Sequence, residues 1–314
     1  MARIGTDIGE AQQILQRGGL VAIPTETVYG LAANALNPEA VARIFEAKKR
    51  PSFDPLIVHI SGIDRLSSIA MEVPAIADKL ARAFWPGPLT ILLPKRDLIP
   101  DIVTSGMPDV AVRVPNNTLT LSLLRSLPFP LVAPSANPFG YISPTRAQHV
   151  MDQLEDKVDY ILDGGPSEVG LESTIVGFPD GTPTIYRMGG LEINSIEAVI
   201  GETHVMPHSA SNPKAPGMLK SHYAPHTPFR LMEEELQADS NAGYLTFSTE
   251  LNVPRERLRI LSPAGDLREA AKNLFGYMRE LDSLGLEYIF AETVPDRGLG
   301  KAINDRLRRA AAGS

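Results

Sequence analysis

The chain has 314 residues, 43% of them hydrophobic, a formal net charge of -7 and no cysteine. That length suits about two domains of roughly 150 residues with sizeable cores, and the missing thiols exclude disulfide frameworks, thiolate zinc sites, cysteine-ligated clusters and a cysteine nucleophile. The acidic balance excludes a protein that coats nucleic acid through bulk electrostatics, while leaving room for a local basic patch, and any metal must use oxygen or histidine ligands.

Asp7 is placed to cap a helix in which Ile8, Ala11, Ile14 and Leu15 recur at helical spacing, with Gly18-Gly19 ending it. Leu20 to Ile23 then reads as a buried strand that delivers the polar residues Thr25, Glu26 and Thr27 to a turn. Asn37-Pro38 starts a helix through Val41, Ile44 and Phe45 that runs into Lys48-Lys49-Arg50 ahead of Pro51, which disfavours helical geometry at the residue before it. Pro55 to Ile60 is a second strand, 63–71 and 74–84 read as helices, and Trp85-Pro86-Gly87-Pro88 makes a rigid turn into the strand 89–93. Strands are expected at 110–114, 131–134, 160–162, 173–176 and 184–186, with a helix at 119–127. The pattern is an α/β domain over residues 1–190 with polar groups gathered at strand ends. Residues 191–228 lack periodicity around Pro207 to Gly217 and read as a linker. A smaller α/β domain over 229–314 follows, with strands at 244–247, 258–261 and 287–290 and helices at 267–284 and 300–312. No apolar run reaches the roughly 20 residues of a membrane span, and Asp7 and Glu10 interrupt the N-terminal stretch, so the expected location is cytoplasmic.

Lys48, Lys49 and Arg50 form the densest basic cluster, which suits either a solvated helix end complementing its dipole or a polyphosphate site. Arg113 stands among Ala111, Val112 and Val114, where an unpaired cation is costly, so it reads as facing a polar cavity or a carboxylate partner, with an ion pair to a sheet neighbour or a solvated sheet face equally open. Ser135, Asn137 and Thr145 offer hydroxyl and amide groups at turns and equally suit local capping. Ser173 and Thr174 alternate across a strand, Arg187 reads as a ligand cation or a solvated strand end, and His59, ending its apolar strand, as a core histidine satisfied by backbone. No nucleophile elbow, paired-acid motif, Walker A loop or dinucleotide glycine fingerprint occurs. Several cations and hydroxyls with little carboxylate suit an anionic nucleotide and stabilisation of phosphoryl charge.

Several motifs together, Pro24-Thr25-Glu26-Thr27-Val28-Tyr29-Gly30-Leu31, Lys49-Arg50-Pro51, Pro86-Gly87-Pro88-Leu89-Thr90, Ala133-Pro134-Ser135-Ala136-Asn137 and Glu172-Ser173-Thr174, resemble the YrdC-type threonylcarbamoyl-AMP synthases over roughly residues 8–190. Gly217-Met218-Leu219-Lys220-Ser221-His222-Tyr223-Ala224-Pro225 is similar to the linker signature of the long, two-domain branch. The resemblance implies a twisted open sheet with a basic concave cavity, joined to a smaller Rossmann-like domain. It also implies conversion of L-threonine, bicarbonate and ATP, with Mg²⁺, to threonylcarbamoyl-adenylate and pyrophosphate. A separate transferase system would then use the product at adenosine 37 of tRNA, and direct tRNA contact is left open. By the same resemblance Thr25, His59, Arg113, Ser135 and Ser173 surround threonine, and Lys48, Arg50, Asn137, Thr145 and Arg187 surround ATP, with Tyr223 reaching in as the linker folds back. Asp54 and Asp109 occupy two further nucleotide-contact positions, where many relatives carry Asn and Thr. Neither a dedicated metal motif nor a nucleophile or base is implied. A double-stranded RNA-binding module of the same fold is the competing reading, and a carbamoyltransferase of the hydrogenase-maturation type is disfavoured by the missing cysteine-rich zinc segments.

Overall fold

The computed structural model describes residues 2–206, 222–232 and 241–313. The chain opens with β1 (Ile4–Gly5) and α1 (Ile8–Gln16), where the Asp7 carboxylate accepts from the Gly9 and Glu10 amides as the cap. After Gly18, in the left-handed region at φ +79°, β2 (Val21–Ile23) runs to the Thr25 turn. Sequence patterning missed the next element: β3 (Gly30–Asn34) pairs antiparallel with β2. Asn37 then caps α2 (Pro38–Lys48), which stops at Lys49 in left-handed geometry.

The chain continues through β4 (Ile57–His59), α3 (Leu66–Ile69), α4 (Ala75–Phe84), β5 (Leu89–Pro94), α5 (Asp101–Thr104), β6 (Asp109–Arg113), α6 (Thr118–Ser126) and β7 (Leu131–Val132). It then forms α7 (Ala147–Leu154), β8 (Tyr160–Leu162), β9 (Thr174–Gly177), β10 (Thr184–Arg187), α8 (Ile193–Ile200) and β11 (His204–Val205). The helix expected over 63–71 shrinks to α3 behind a short 3-10 turn. Residues 193–205, read from sequence as the start of the linker, form α8 and β11 instead, and β11 pairs parallel with β10. Ile193, Ile196, Val199 and Ile200 give that helix an apolar face against the first core. The linker residues 207–221 lie outside the described residues.

Among the described residues the strands make one mixed sheet in the order β1-β8-β2-β3-β7-β4-β6-β5-β9-β10-β11. Strand alternation gives its centre two different faces. Val58, Ile91, Leu93, Val110 and Val112 point into the large core beneath the helices, whereas Ile57, Leu92, Ala111 and Ile175 form a small cluster on the other face. Each such buried Val, Leu or Ile side chain contributes roughly 1.5–3 kcal/mol of transfer free energy. That second face is open enough to hold a site.

The remaining elements, β12 (Phe229–Leu231), β13 (Ala242–Thr246), β14 (Leu258–Ile260), α9 (Leu267–Asp282), β15 (Tyr288–Ala291) and α10 (Gly300–Ala311), build an all-parallel sheet in the order β12-β15-β13-β14. Helix α9 docks directly on the first body. Tyr141 donates to Asp282 at 2.6 Å, Arg279 donates to the carbonyls of Ile142 and Ser143, and a Cβ on Gly170 would lie 2.5 Å from the Ala271 carbonyl oxygen. Gly170 also sits at φ +75°. Gly170→Ala is therefore expected to lower the thermal midpoint by roughly 5–10 °C, since a strained backbone and a backbone clash add to about 3 kcal/mol. Gly276→Ala in α9 meets open space and is expected to raise it slightly. Calorimetry of the two variants measures the difference.

Candidate active site

Register decides where the polar side chains gather. Parallel pairing of β4 with β6 sets His59 beside Arg113, and period-2 alternation puts Ile57 on the same face as His59. A cavity opens on that face, lined by Thr25, Thr27, Ile57, His59, Arg113, Ala133, Ser135, Glu172, Ser173, Arg187, His222 and Tyr223 among others, with Arg50 and Pro55 also in its wall. Five residues expected around an amino acid, Thr25, His59, Arg113, Ser135 and Ser173, thus meet on one wall system with three expected around a nucleotide, Arg50, Arg187 and Tyr223.

The turn after β2 is held by its own hydroxyl. Thr25 Oγ1 donates to the Val28 carbonyl at 2.6 Å and accepts from the Thr27 and Val28 amides at 3.2 Å. This presents Glu26 and Thr27 to Arg113, which is buried rather than on a solvated sheet face: it faces the cavity and it has a carboxylate partner. Its Nη2 lies 2.8 Å from Glu26 Oε1, Nη1 donates to Thr27 Oγ1 at 2.9 Å, and Nε donates to the Gly87 carbonyl at 3.2 Å. The Trp85-Pro86-Gly87-Pro88 turn therefore serves as a fixed acceptor, and N–H groups on Nη1 and Nη2 are left for a ligand. His59 Nδ1 contacts the Ile57 carbonyl at 3.2 Å, and burial followed by the neighbouring Arg113 charge pulls its imidazole down to about 3. It is a neutral polar wall, and among the described residues no carboxylate pairs with it to make it a base.

Ser173 is oriented by two neighbours. Its Oγ pairs with Thr90 Oγ1 at 2.7 Å and accepts from Arg187 Nη2 at 3.1 Å, while Arg187 Nε donates to the Ser173 carbonyl at 3.0 Å. Gly189 packs so closely on this segment that a Cβ there would fall 2.3 Å from the Glu172 carbonyl oxygen. Arg187 is not a solvated strand end; it is buried in β10, and burial is the main reason its guanidinium drops to about 10.

On the nucleotide side the residues divide. Arg50 donates Nε to the Asp54 carbonyl at 3.0 Å and Nη2 to the Pro55 carbonyl at 2.8 Å, and it pairs with the Asp54 carboxylate at 2.9 Å. Asp54 is fully buried as that partner and does not line the cavity. Lys48 is also buried behind the wall, where its ammonium donates to the carbonyls of Ser135 and Asn137. Burial, then the charge of Arg50, pushes Lys48 well below the ordinary lysine range. Its visible work is to shape the Ser135–Asn137 turn. Asn137 donates to the Pro138 and Tyr141 carbonyls at 2.8 Å, Thr145 is buried one layer out, and Asp109 stands at the exposed start of β6, at the opposite end of that strand from Arg113. Neither these three nor Lys48 lines the cavity.

Tyr223 does line it, from a left-handed backbone at φ +69°, with its ring stacked on Phe275 at 5.5 Å and His222 edge-on at 4.2 Å. Sequence reasoning overlooked Thr27, Thr90, Glu172 and His222. All four lie inside motifs named above, His222 directly beside Tyr223. Among the described residues no group of three or more histidine, aspartate or glutamate side chains is gathered to hold a metal ion.

A cation-lined cavity on one face of an α/β sheet, with no paired nucleophile and base among the described residues, suits an enzyme that binds and neutralises anionic substrates. A family model described as "Telomere recombination" matches residues 13–189, and one described as "Threonylcarbamoyl-AMP synthase, C-terminal domain" matches residues 191–312. The chain is 41% identical to the threonylcarbamoyl-AMP synthase of Pyrococcus abyssi over 96% of its own length and 92% of the relative's, and 40% identical to that of Bacillus subtilis over 98% and 93%. Its structure superposes on Pyrococcus abyssi Sua5 complexed with L-threonine with a TM-score of 0.92 and 38% identity, covering 100% of this chain and 98% of that one. The chain belongs to the two-domain threonylcarbamoyl-AMP synthase family. Escherichia coli YciO, at 24% identity and a TM-score of 0.54, shares the fold of the first body.

Proposed function

We propose that this protein makes threonylcarbamoyl-adenylate and pyrophosphate from L-threonine, bicarbonate and MgATP, and that its product serves N6-threonylcarbamoylation of adenosine 37 in tRNA through a separate transferase. The observation that carries the proposal is the meeting of Arg113, Ser135 and Ser173 with Arg50 and Arg187 around one cavity. In this reading the threonine carboxylate takes the remaining N–H groups of Arg113, and the polyphosphate lies toward Arg50 and Arg187. The threonine nitrogen bonds to the bicarbonate carbon with loss of water. A carbamate oxygen then bonds to the α-phosphorus while the bridging oxygen leaves with pyrophosphate. Both steps bring anions together, so positioning and fixed positive charge supply the catalysis.

Among the described residues no cluster fits a resident metal, and Mg²⁺ is assigned to the ATP as part of the substrate, held by phosphate oxygens and water. No helix of the described residues is long and apolar enough to cross a membrane. Pure protein is expected to release pyrophosphate from ATP only when threonine and bicarbonate are both present. Release that persists without threonine would sink the proposal.

A further inference from the structure

The two bodies share more than a packing interface. Arg306, on α10 of the second body, has no solvent exposure, and its Nε donates to Glu172 Oε2 at 3.0 Å with Nη2 3.0 Å from the same oxygen. Its Nη1 donates to Asp305 Oδ2 at 2.7 Å. Glu172 also accepts from Ser143 Oγ at 2.5 Å and immediately precedes Ser173, the residue to which Arg187 is bonded. A second guanidinium of α10, Arg309, contacts Asp305 at 3.4 Å, and the two cations lie 5.0 Å and 4.7 Å from the centre of the Tyr223 ring. Glu172 and Tyr223 both line the cavity. Contacts from the second body therefore reach two of its wall residues.

We propose that Arg306 is a positioning residue for the anionic substrate: it takes up the charge of Glu172, so that Arg187 stays turned to the cavity, and it fixes the Tyr223 ring at the rim. The inference rests on the reading above, in which Arg187 faces ATP. Its physical basis is a competition. Glu172 is a buried carboxylate one residue from the carbonyl that holds Arg187, and a buried charge without a partner is costly. With Arg306 gone, Arg187 is the cation that Glu172 would recruit, and a guanidinium paired with Glu172 is turned from the polyphosphate. Burial pushes the Glu172 carboxyl up, but Arg306 first and then Arg187 and Ser143 more than offset it, leaving it below the usual range. The shared dependence on both arginines is what the competition requires.

The test is equilibrium ATP binding to full-length protein by calorimetry, with threonine binding measured in parallel and pyrophosphate release of the unmodified protein as the reference. Arg306→Gln is expected to weaken ATP at least tenfold while threonine changes less than about threefold. Glu172→Gln/Arg306→Gln, which removes the competing charge, should recover ATP affinity to within about threefold of the unmodified protein. Arg306→Lys keeps the charge and serves if Arg306→Gln does not fold; its loss should stay below about threefold. Equal losses for ATP and threonine, no recovery in the double variant, or a loss in Arg306→Lys as large as in Arg306→Gln would each overturn the proposal. An unmodified protein that binds ATP but releases no threonine-dependent pyrophosphate would count against the synthase reading instead.

Discussion

Replacing Arg113 by methionine is expected to lower threonine-dependent pyrophosphate release by at least about 100-fold and to destabilise the fold at the same time. Arg113 is 4% exposed and its guanidinium supplies the only ion-pair partner found for Glu26 among the described residues, and neither Glu26 oxygen has a hydrogen bond of ordinary geometry. Removing one member of a buried pair costs about 3–5 kcal/mol, because the survivor keeps its desolvation penalty. Loss of a charge-assisted contact to the substrate carboxylate is expected to add a defect in threonine use of about 100-fold, close to 3 kcal/mol at about 1.4 kcal/mol per tenfold. The two effects separate in the double variant Glu26→Gln/Arg113→Met, which leaves no orphaned carboxylate. Its thermal midpoint should return most of the way to that of the unmodified protein, while the Michaelis constant for threonine stays high. If threonine use returned as well, Arg113 would serve only to hold Glu26.

Arg113 was legible because a cation inside Ala111-Val112-Arg113-Val114 cannot be indifferent to its surroundings. The caps at Asp7 and Asn37 and the β-branched strands were legible for the same local reason: their signals lie within a few residues of one another. Gly30-Leu31-Ala32-Ala33-Asn34 carried none, since it has no β-branched residue and its centre is buried throughout, so alternation is missing. Helix α7 did carry a signal, with Ala147, Val150, Met151 and Leu154 at helical spacing, yet no element is assigned there from the sequence. Lys48 shows the limit for a site. A basic helix end cannot say whether its ammonium faces ligand or, as here, the carbonyls of Ser135 and Asn137. Arg187 could not be read as buried from its own strand. The contact from Arg306 to Glu172 spans 134 positions and leaves no local pattern at all.

Acid should unfold this protein through its histidines before its carboxylates. His59 is pulled down to about 3 by burial and then by Arg113, and His222 falls well below its ordinary value through burial and then Arg309, Arg50, Lys48 and Arg306. His149, less buried, drops to about 4, again mainly by burial and then by Arg279 and Arg146. A group whose value is depressed on folding contributes stability that is complete above its unfolded value and lost as pH falls toward the folded one. For His59 that window runs from about 6.5 down to about 3, and within it the unfolded chain binds a proton that the native protein refuses. Each such histidine removes about 1.4 kcal/mol per pH unit, so His59 and His222 together account for roughly 3 kcal/mol per unit. Denaturant midpoints measured from pH 7.5 to 4.5 should stay level at first and then fall steeply below about 6. Glu172 and Asp282, both held below the usual carboxylate range despite burial, add a further loss only as pH drops through their unfolded values. His222→Phe should make the slope between pH 6 and 5 shallower by about one histidine's share. A stability curve that stays flat to pH 5 would mean that these imidazoles accept protons in the native state, and the cations around His222 would then have to be screened by an anion in the cavity.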